Sequence, residues 1–175
     1  MQNDWTKAPE TPLSESYKAW LKVKRLSHHF GFHCSEVTLK LLSMSYKDPR
    51  DYEAQALTLD AHEKCFVREI MLINQDNREC LSHGRVCIRG DNQKAIDLLE
   101  NLGEKALGEH VLHHDSAIHR SDFLFRQAYK EELKWFGKDL ASNPWSRYSV
   151  FSKDNHPWLV LTETLSMSLE HLIDG

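Results

Sequence analysis

A chain of 175 residues, 41% hydrophobic and 27% charged, can build one domain with a real core, and this composition excludes wholesale disorder. A formal net charge of −4 excludes a general pull toward nucleic acid or anionic lipid, so a few local cations must hold any anionic ligand. The four cysteines, Cys34, Cys65, Cys80 and Cys87, show neither a C-x-x-C pair nor zinc-ligand spacing, and no apolar run reaches membrane-spanning length. The first residues lack a secretory pattern, which predicts a reduced, cytoplasmic protein with its cysteines packed as small core residues.

Residues 1–12, with Pro9 and Pro12, read as a flexible lead-in to a domain spanning 13–175. Leu13 to Phe30 has a helical pattern in two pieces, with Ser14 or Ser16 as N-caps. From Ser35 to Tyr46, Val37, Leu39 and Leu41 alternate with polar residues, and the phase then moves to Leu42, Met44 and Tyr46. That is the pattern of a strand with a bulge. After a turn at 47–50, Cys65 to Ile73 and Leu81 to Ile88 flank a polar turn at 74–78 as an antiparallel hairpin. Asp91 to Leu102 is an amphipathic helix ended by Gly103, and 106–113 a second short helix. Ser121 to Phe125 suggests a strand and Lys130 to Leu140 a helix. A last hairpin runs from Tyr148 to Ser152 and from Trp158 to Leu165. With no repeat or linker to divide it, the chain predicts an α+β fold: a single-domain antiparallel sheet with helices inserted between hairpins.

Two charges break this pattern. Strand alternation puts Arg68 in a row with Phe66, Ile70 and Leu72, and Glu163 in a row with Leu159, Leu161 and Leu165. Burying an unpaired ion costs several kcal/mol or more, so each needs a counterpart. One reading is a structural ion pair, between the two or with neighbours, which is the commoner case on sheets. The other is a pocket in which Arg68 grips a carboxylate with its forked guanidinium and Glu163 accepts a hydrogen bond from a hydroxyl. Periodicity alone does not choose.

Val67-Arg68-Glu69-Ile70-Met71-Leu72 resembles the strand that carries the substrate arginine in chorismate pyruvate-lyases. Gly84-Arg85-Val86 is similar to that family's G-R-T-V, and residues 102–108 to its L-G-x-x-P-L-G turn, with Ala106 where proline is usual. Trp145-Ser146-Arg147-Tyr148-Ser149 resembles W-x-R-x-S, and the run from Pro157 to Glu163 resembles P-x-L-x-T-E. Arg25-Leu26-Ser27 with Phe30 is similar to the helical S-[LM]-T segment that helps close the pocket. The resemblance runs from about Trp20 to Leu165. It departs in a longer stretch between Phe125 and Asn143 and in the missing proline near Arg89-Gly90.

The resemblance implies a lyase that splits chorismate into 4-hydroxybenzoate and pyruvate, the first step toward ubiquinone, with no metal and no organic cofactor. It implies that Arg68 binds the ring carboxylate, helped by main-chain N–H groups near Leu26 and Leu107. Glu163 then sits at the hydroxyl end of the ring, and Arg85 is the expected second cation, near the enolpyruvyl carboxylate or an entry site. The other reading of Arg85 is a solvated strand face shared with His83, Cys87 and Arg89. Arg147 adds to the same field or is a surface arginine. Two routes stay open: hydrogen transfer within the substrate, favoured by a reactive conformer, or acid–base work by Glu163. Segments around Leu26 and Leu107 are expected to act as lids, with tight product retention, product inhibition and hand-off to a membrane prenyltransferase. The family likeness implies a monomer that does not insert in the membrane and binds no nucleic acid.

Other signals carry less. His110, His113 and His114 have spacings that bind metal on a helix, but no H-E-x-x-H or partner carboxylate accompanies them. Effector-binding domains of some transcription regulators share the fold without catalysis, and they are the chief alternative. They normally follow a DNA-binding helix-turn-helix module, for which the residues before the resemblance are too few.

Overall fold

The protein is described by a computed structural model covering residues 4–9, 12–108, 115–136 and 143–172. Helix α1 (Glu15–Lys22) starts where the Tyr17 N–H donates to Ser14 Oγ at 3.2 Å, and α2 (Leu26–Phe30) follows after an extended break at Val23. Strand β1 (Val37–Lys47) carries the expected irregularity between Leu41 and Ser43. Helix α3 (Asp51–Leu57) was not anticipated, although Glu53 three residues after Arg50 is a capping signal: its Oε2 accepts the Arg50 N–H at 2.8 Å. The hairpin β2 (Cys65–Asn74) and β3 (Cys80–Arg89) and helix α4 (Gln93–Leu102) lie where expected.

The expected strand at 121–125 is instead two, β4 (Ile118–Arg120) and β5 (Leu124–Gln127). Both pair with β6 (Trp145–Lys153), but at different ends: Arg120 faces Phe151 and Leu124 faces Tyr148. Residues 121–123 step out between them, held by Ser121, whose N–H donates to the Val150 carbonyl at 2.9 Å. Helix α5 is short (Lys130–Leu133), and the rest of the expected helix, at 137–140, lies outside the described residues. Strand β7 (His156–Leu165) leads to a 3-10 helix at Met167–His171.

All pairings are antiparallel, in the order β1-β2-β3-β7-β6-β4, with β5 beside β6. This is the α+β architecture expected. The β3–β7 contact joins the two hairpins into one sheet. On one face, α1, α2 and the 3-10 helix cover one end through Tyr17, Trp20, Leu26, Phe30 and Leu169, packed with Leu72 and Leu165. Helix α4 covers the other end through Ile96, Leu99 and Leu102, packed with Phe66, Val86 and Leu159. Between these two apolar clusters the face is left for a pocket.

The opposite face holds a third cluster around Tyr52, Val67 and Val160, and Trp5 closes it. Trp5 is buried, with its ring edge-on to Tyr52 at 5.0 Å and Tyr148 at 4.6 Å. Thr6 exchanges two 2.8 Å backbone hydrogen bonds with Phe125. The described part of the lead-in is therefore packed rather than free, a correction that proline content alone did not signal.

This face also carries a buried polar network. Arg85 forks onto Glu53, with Nε to Oε1 at 2.7 Å and Nη2 to Oε2 at 3.0 Å; Arg126 forks onto Glu132. His83 is buried there, stacked on Trp135 with ring centroids 5.5 Å apart, and its Nε2 lacks a hydrogen-bond partner. Burial pushes the His83 imidazole down to about 4, only partly offset by Glu69 and Glu132. The unfolded chain, with a pKa near ~6.5, then binds the proton that the folded state refuses. Stability is therefore expected to fall by on the order of a few kcal/mol as pH drops from about 6.5 to 4. A urea titration series across that window checks it: His83→Gln should flatten the dependence, and an unchanged slope would refute the assignment.

Candidate functional site

Register places the two odd charges. Arg68 on β2 faces Val86 on β3, which faces Leu161 on β7, and these form one row across the sheet. The next row runs Ile70, Gly84, Glu163 and Arg147. Arg68 and Glu163 thus share a face but lie two strands apart, roughly 10 Å in the pairing direction. They do not pair with each other. Between Ile70 and Glu163 the chain has Gly84, where a Cβ would come within 3.0 Å of Ile70 Cγ1. The missing side chain keeps the pocket floor open.

The pocket is roofed by Lys24 to Ser27 at the start of α2 and by Ala106 to Gly108 after α4. Leu39, Leu72, Val86, Phe151 and Leu161 give it apolar walls, while Arg68, Arg120 and Glu163 supply charge. The centre of a water-sized sphere can sweep about 80 Å³ inside it, room for several waters or a small ring.

Arg68 is fully buried. Its Nη2 donates to the carbonyls of Gly103 at 2.8 Å and Lys105 at 2.9 Å. Gly103 ends α4 with φ at +56°, a turn that glycine makes without strain and that brings these carbonyls over the strand. Nε and Nη1 have no partner, and among the described residues no carboxylate lies within ion-pair distance of Arg68. Burial alone lowers its pKa. Such a cation is under-satisfied, and its two orphan nitrogens, on different edges of the guanidinium, can each donate to a ligand carboxylate oxygen.

Glu163 is held differently. Its Oε2 accepts from Arg147 Nε at 2.9 Å, with Arg147 Nη2 at 2.8 Å but not aligned for a hydrogen bond. Arg120 Nη2 reaches the same oxygen at 3.4 Å. Oε1 takes no part in these contacts. Arg147 is directly opposite Glu163 across the β6–β7 pair and is fully buried, so its reading as a surface arginine is corrected. Its Nη1 also donates to the carbonyls of Leu21 and Val23, tying the roof segment to the sheet.

Arg85 is not in the pocket. Because Val86 shares the Arg68 row, alternation sends Arg85 to the opposite face, where Glu53 neutralises it and raises its pKa. Arg120, unremarked in the sequence, lines the pocket instead. Its strand is only three residues long, too short for alternation to show. Leu26 and Leu107 are both buried in the pocket wall, and Leu26 opens α2, so its N–H has no acceptor within that helix.

His110, His113 and His114 lie outside the described residues. Among those described, the one group of metal-ligand type brought close together is Glu53, Cys65 and Cys87, on the face away from the pocket. Glu53 already accepts from Arg85 and the Arg50 N–H, which leaves it poorly placed to ligate. No helix among the described residues is long and apolar enough to cross a membrane.

An antiparallel sheet with a cation-bearing pocket under two roof segments defines a pocket-bearing domain of the α+β class. The profile of the chorismate lyase family matches residues 2–169, and the chain belongs to that family. No curated protein matches the sequence directly. Among solved structures it is similar to YydK of Bacillus subtilis, described as a possible transcriptional regulator, at 12% identity and a TM-score of 0.56. That match covers 79% of this chain and 60% of the other, so the chain spans less than two thirds of YydK. The C-terminal domain of the histidine utilization repressor from Pseudomonas syringae matches at 13% identity and TM-score 0.57, covering 76% of this chain and 93% of that one. The effector domain of PhnF from Mycobacterium smegmatis gives 12%, 0.55, 76% and 82% in the same order. At these identities the likeness shows the fold alone.

Proposed function

We propose that the protein is a chorismate pyruvate-lyase, releasing 4-hydroxybenzoate and pyruvate without a metal or organic cofactor. The observation that carries this reading is Arg68, a fully buried guanidinium with two orphan nitrogens beside an apolar, ring-sized pocket. A carboxylate there supplies the missing counter-ion, and the N–H groups of Leu26 and Leu107 add to it. Charge count agrees. Among the described residues the charged lining is Lys24, Arg25, Arg68 and Arg120 against the carboxylate of Glu163, a positive surplus that suits a dianion such as chorismate.

In this reading the ring lies between Arg68 and Glu163, with its hydroxyl donating to the carboxylate. The ether C–O bond breaks as the ring hydrogen moves to the enolpyruvyl methylene, giving pyruvate, and the ring aromatises. Holding the reactive conformer in a closed pocket is the larger effect. Glu163 orients and polarises the hydroxyl. A pocket that closes over the aromatic acid also retains it, so product inhibition is expected.

The test is to incubate the purified protein with chorismate, without added metal, and assay for 4-hydroxybenzoate and pyruvate. Both are expected in equal amounts. If neither forms while 4-hydroxybenzoate binds tightly, the protein is a non-catalytic aromatic-acid sensor, the alternative that its structural neighbours make relevant.

A further inference from the structure

We propose that Arg120 is a second anion subsite, holding the carboxylate that distinguishes a dianionic ligand from an aromatic monoanion. This rests on the lyase reading above and gives Arg120 the role that the sequence assigned to Arg85. Arg120 lines the pocket with its side chain about four-fifths buried. Phe123 and Phe151 lie against its guanidinium, at 4.2 Å and 5.0 Å from the ring centroids. Nε donates to Ser149 Oγ at 2.8 Å and Nη1 to the Lys24 carbonyl at 2.7 Å. These contacts fix the plane of the group yet contribute no negative charge.

The only ion pair Arg120 makes among the described residues is the 3.4 Å contact with Glu163 Oε2, and that oxygen is already held by Arg147 at 2.8–2.9 Å. Arg120 therefore keeps most of its charge uncompensated. Burial, helped by the nearby Arg147, presses its pKa down to about 10 even with Glu163 beside it, as expected for a cation short of counter-charge.

Position decides what that charge can meet. In chorismate the ring hydroxyl is next to the ether oxygen and opposite the ring carboxylate. With Arg68 on the ring carboxylate and Glu163 on the hydroxyl, the enolpyruvyl group leaves the ring beside Glu163. Arg120 is the pocket cation that touches Glu163. Lys24 and Arg25 also border the pocket, but their side chains are exposed and hydrated. A screened rim cation holds an anion far less strongly than a buried, pre-oriented guanidinium. Arg120 thus sets the preference for a two-carboxylate ligand.

The test compares two unreactive ligands by calorimetry: 4-hydroxybenzoate, and 3-(carboxymethoxy)-4-hydroxybenzoate, which adds a second carboxylate through an ether at the right ring position. Arg120→Gln should weaken binding of the dianion by about 10- to 100-fold and leave 4-hydroxybenzoate within about twofold. Arg120→Lys, which keeps the charge, should recover part of the loss. Thermal melts of each variant confirm folding. Equal losses for both ligands would make Arg120 merely a strap for the Lys24 segment and overturn the proposal, as would no loss for either. Failure of the lyase reading shows separately, as wild-type protein that cleaves no chorismate whatever its preference between the two acids.

Discussion

Replacing Arg68 by methionine is expected to cost two to three orders of magnitude in affinity for 4-hydroxybenzoate, and at least as much in kcat/KM for chorismate, while the protein stays as stable or becomes more so. The two halves have one cause. Arg68 is buried with hydrogen bonds to two carbonyls and, among the described residues, no counter-ion, and two of its nitrogens have no partner there. The two charge-assisted hydrogen bonds contribute about 1.5–3 kcal/mol each, which a desolvation penalty of several kcal/mol for the charge offsets. A methionine of similar length, beside Val86 and Ile70, removes that penalty and fills the same space. A ligand carboxylate loses its buried cationic partner, a loss of about 2–5 kcal/mol when one partner of a buried pair is removed. Calorimetry with 4-hydroxybenzoate and a urea melt of the same sample check both halves. A variant that binds normally, or that unfolds several kcal/mol more easily while its ligand affinity is unchanged, would return Arg68 to a structural role.

This opposition explains why the site was partly legible before any coordinates. Arg68 and Glu163 stood out because a charge in an apolar period-2 row breaks agreement between local pattern and fold, and such breaks cluster at sites of function. The same alternation, carried across the hairpin, excludes Arg85 from the Arg68 face. Val86 must share the Arg68 face, so its neighbour cannot. Arg120 was invisible for another reason. A three-residue strand has no period, and what brings it into the pocket is the step of residues 121–123 between two pairings with β6. Helix α3 had its capping signal in Arg50 and Glu53, directly after the turn read at 47–50, in a stretch for which no element was expected. The packing of Trp5 depends on Tyr52 and Tyr148, partners far away in sequence.

Glu163→Gln is expected to be costly for stability but only partly so for chemistry, the reverse of Arg68. The glutamine keeps an oxygen that can accept from the substrate hydroxyl, and if conformer control dominates, kcat should fall by about 10- to 100-fold rather than vanish. Its effect on the fold is larger, because Glu163 is the only carboxylate among the described residues paired with Arg147, and Arg147 is fully buried. Removing one partner of a buried pair destabilises by about 3–5 kcal/mol, which the remaining bonds to the Leu21 and Val23 carbonyls do not offset. Adding Arg147→Met should restore much of that stability, since the two losses share one interaction and are not additive. Measured at a temperature where each variant is folded, the single variant's kcat separates the two routes. Residual turnover supports hydrogen transfer within the substrate, with Glu163 orienting the ring. Loss as complete as with Arg68→Met, in protein shown by its melt to be folded, would make Glu163 the acid–base group.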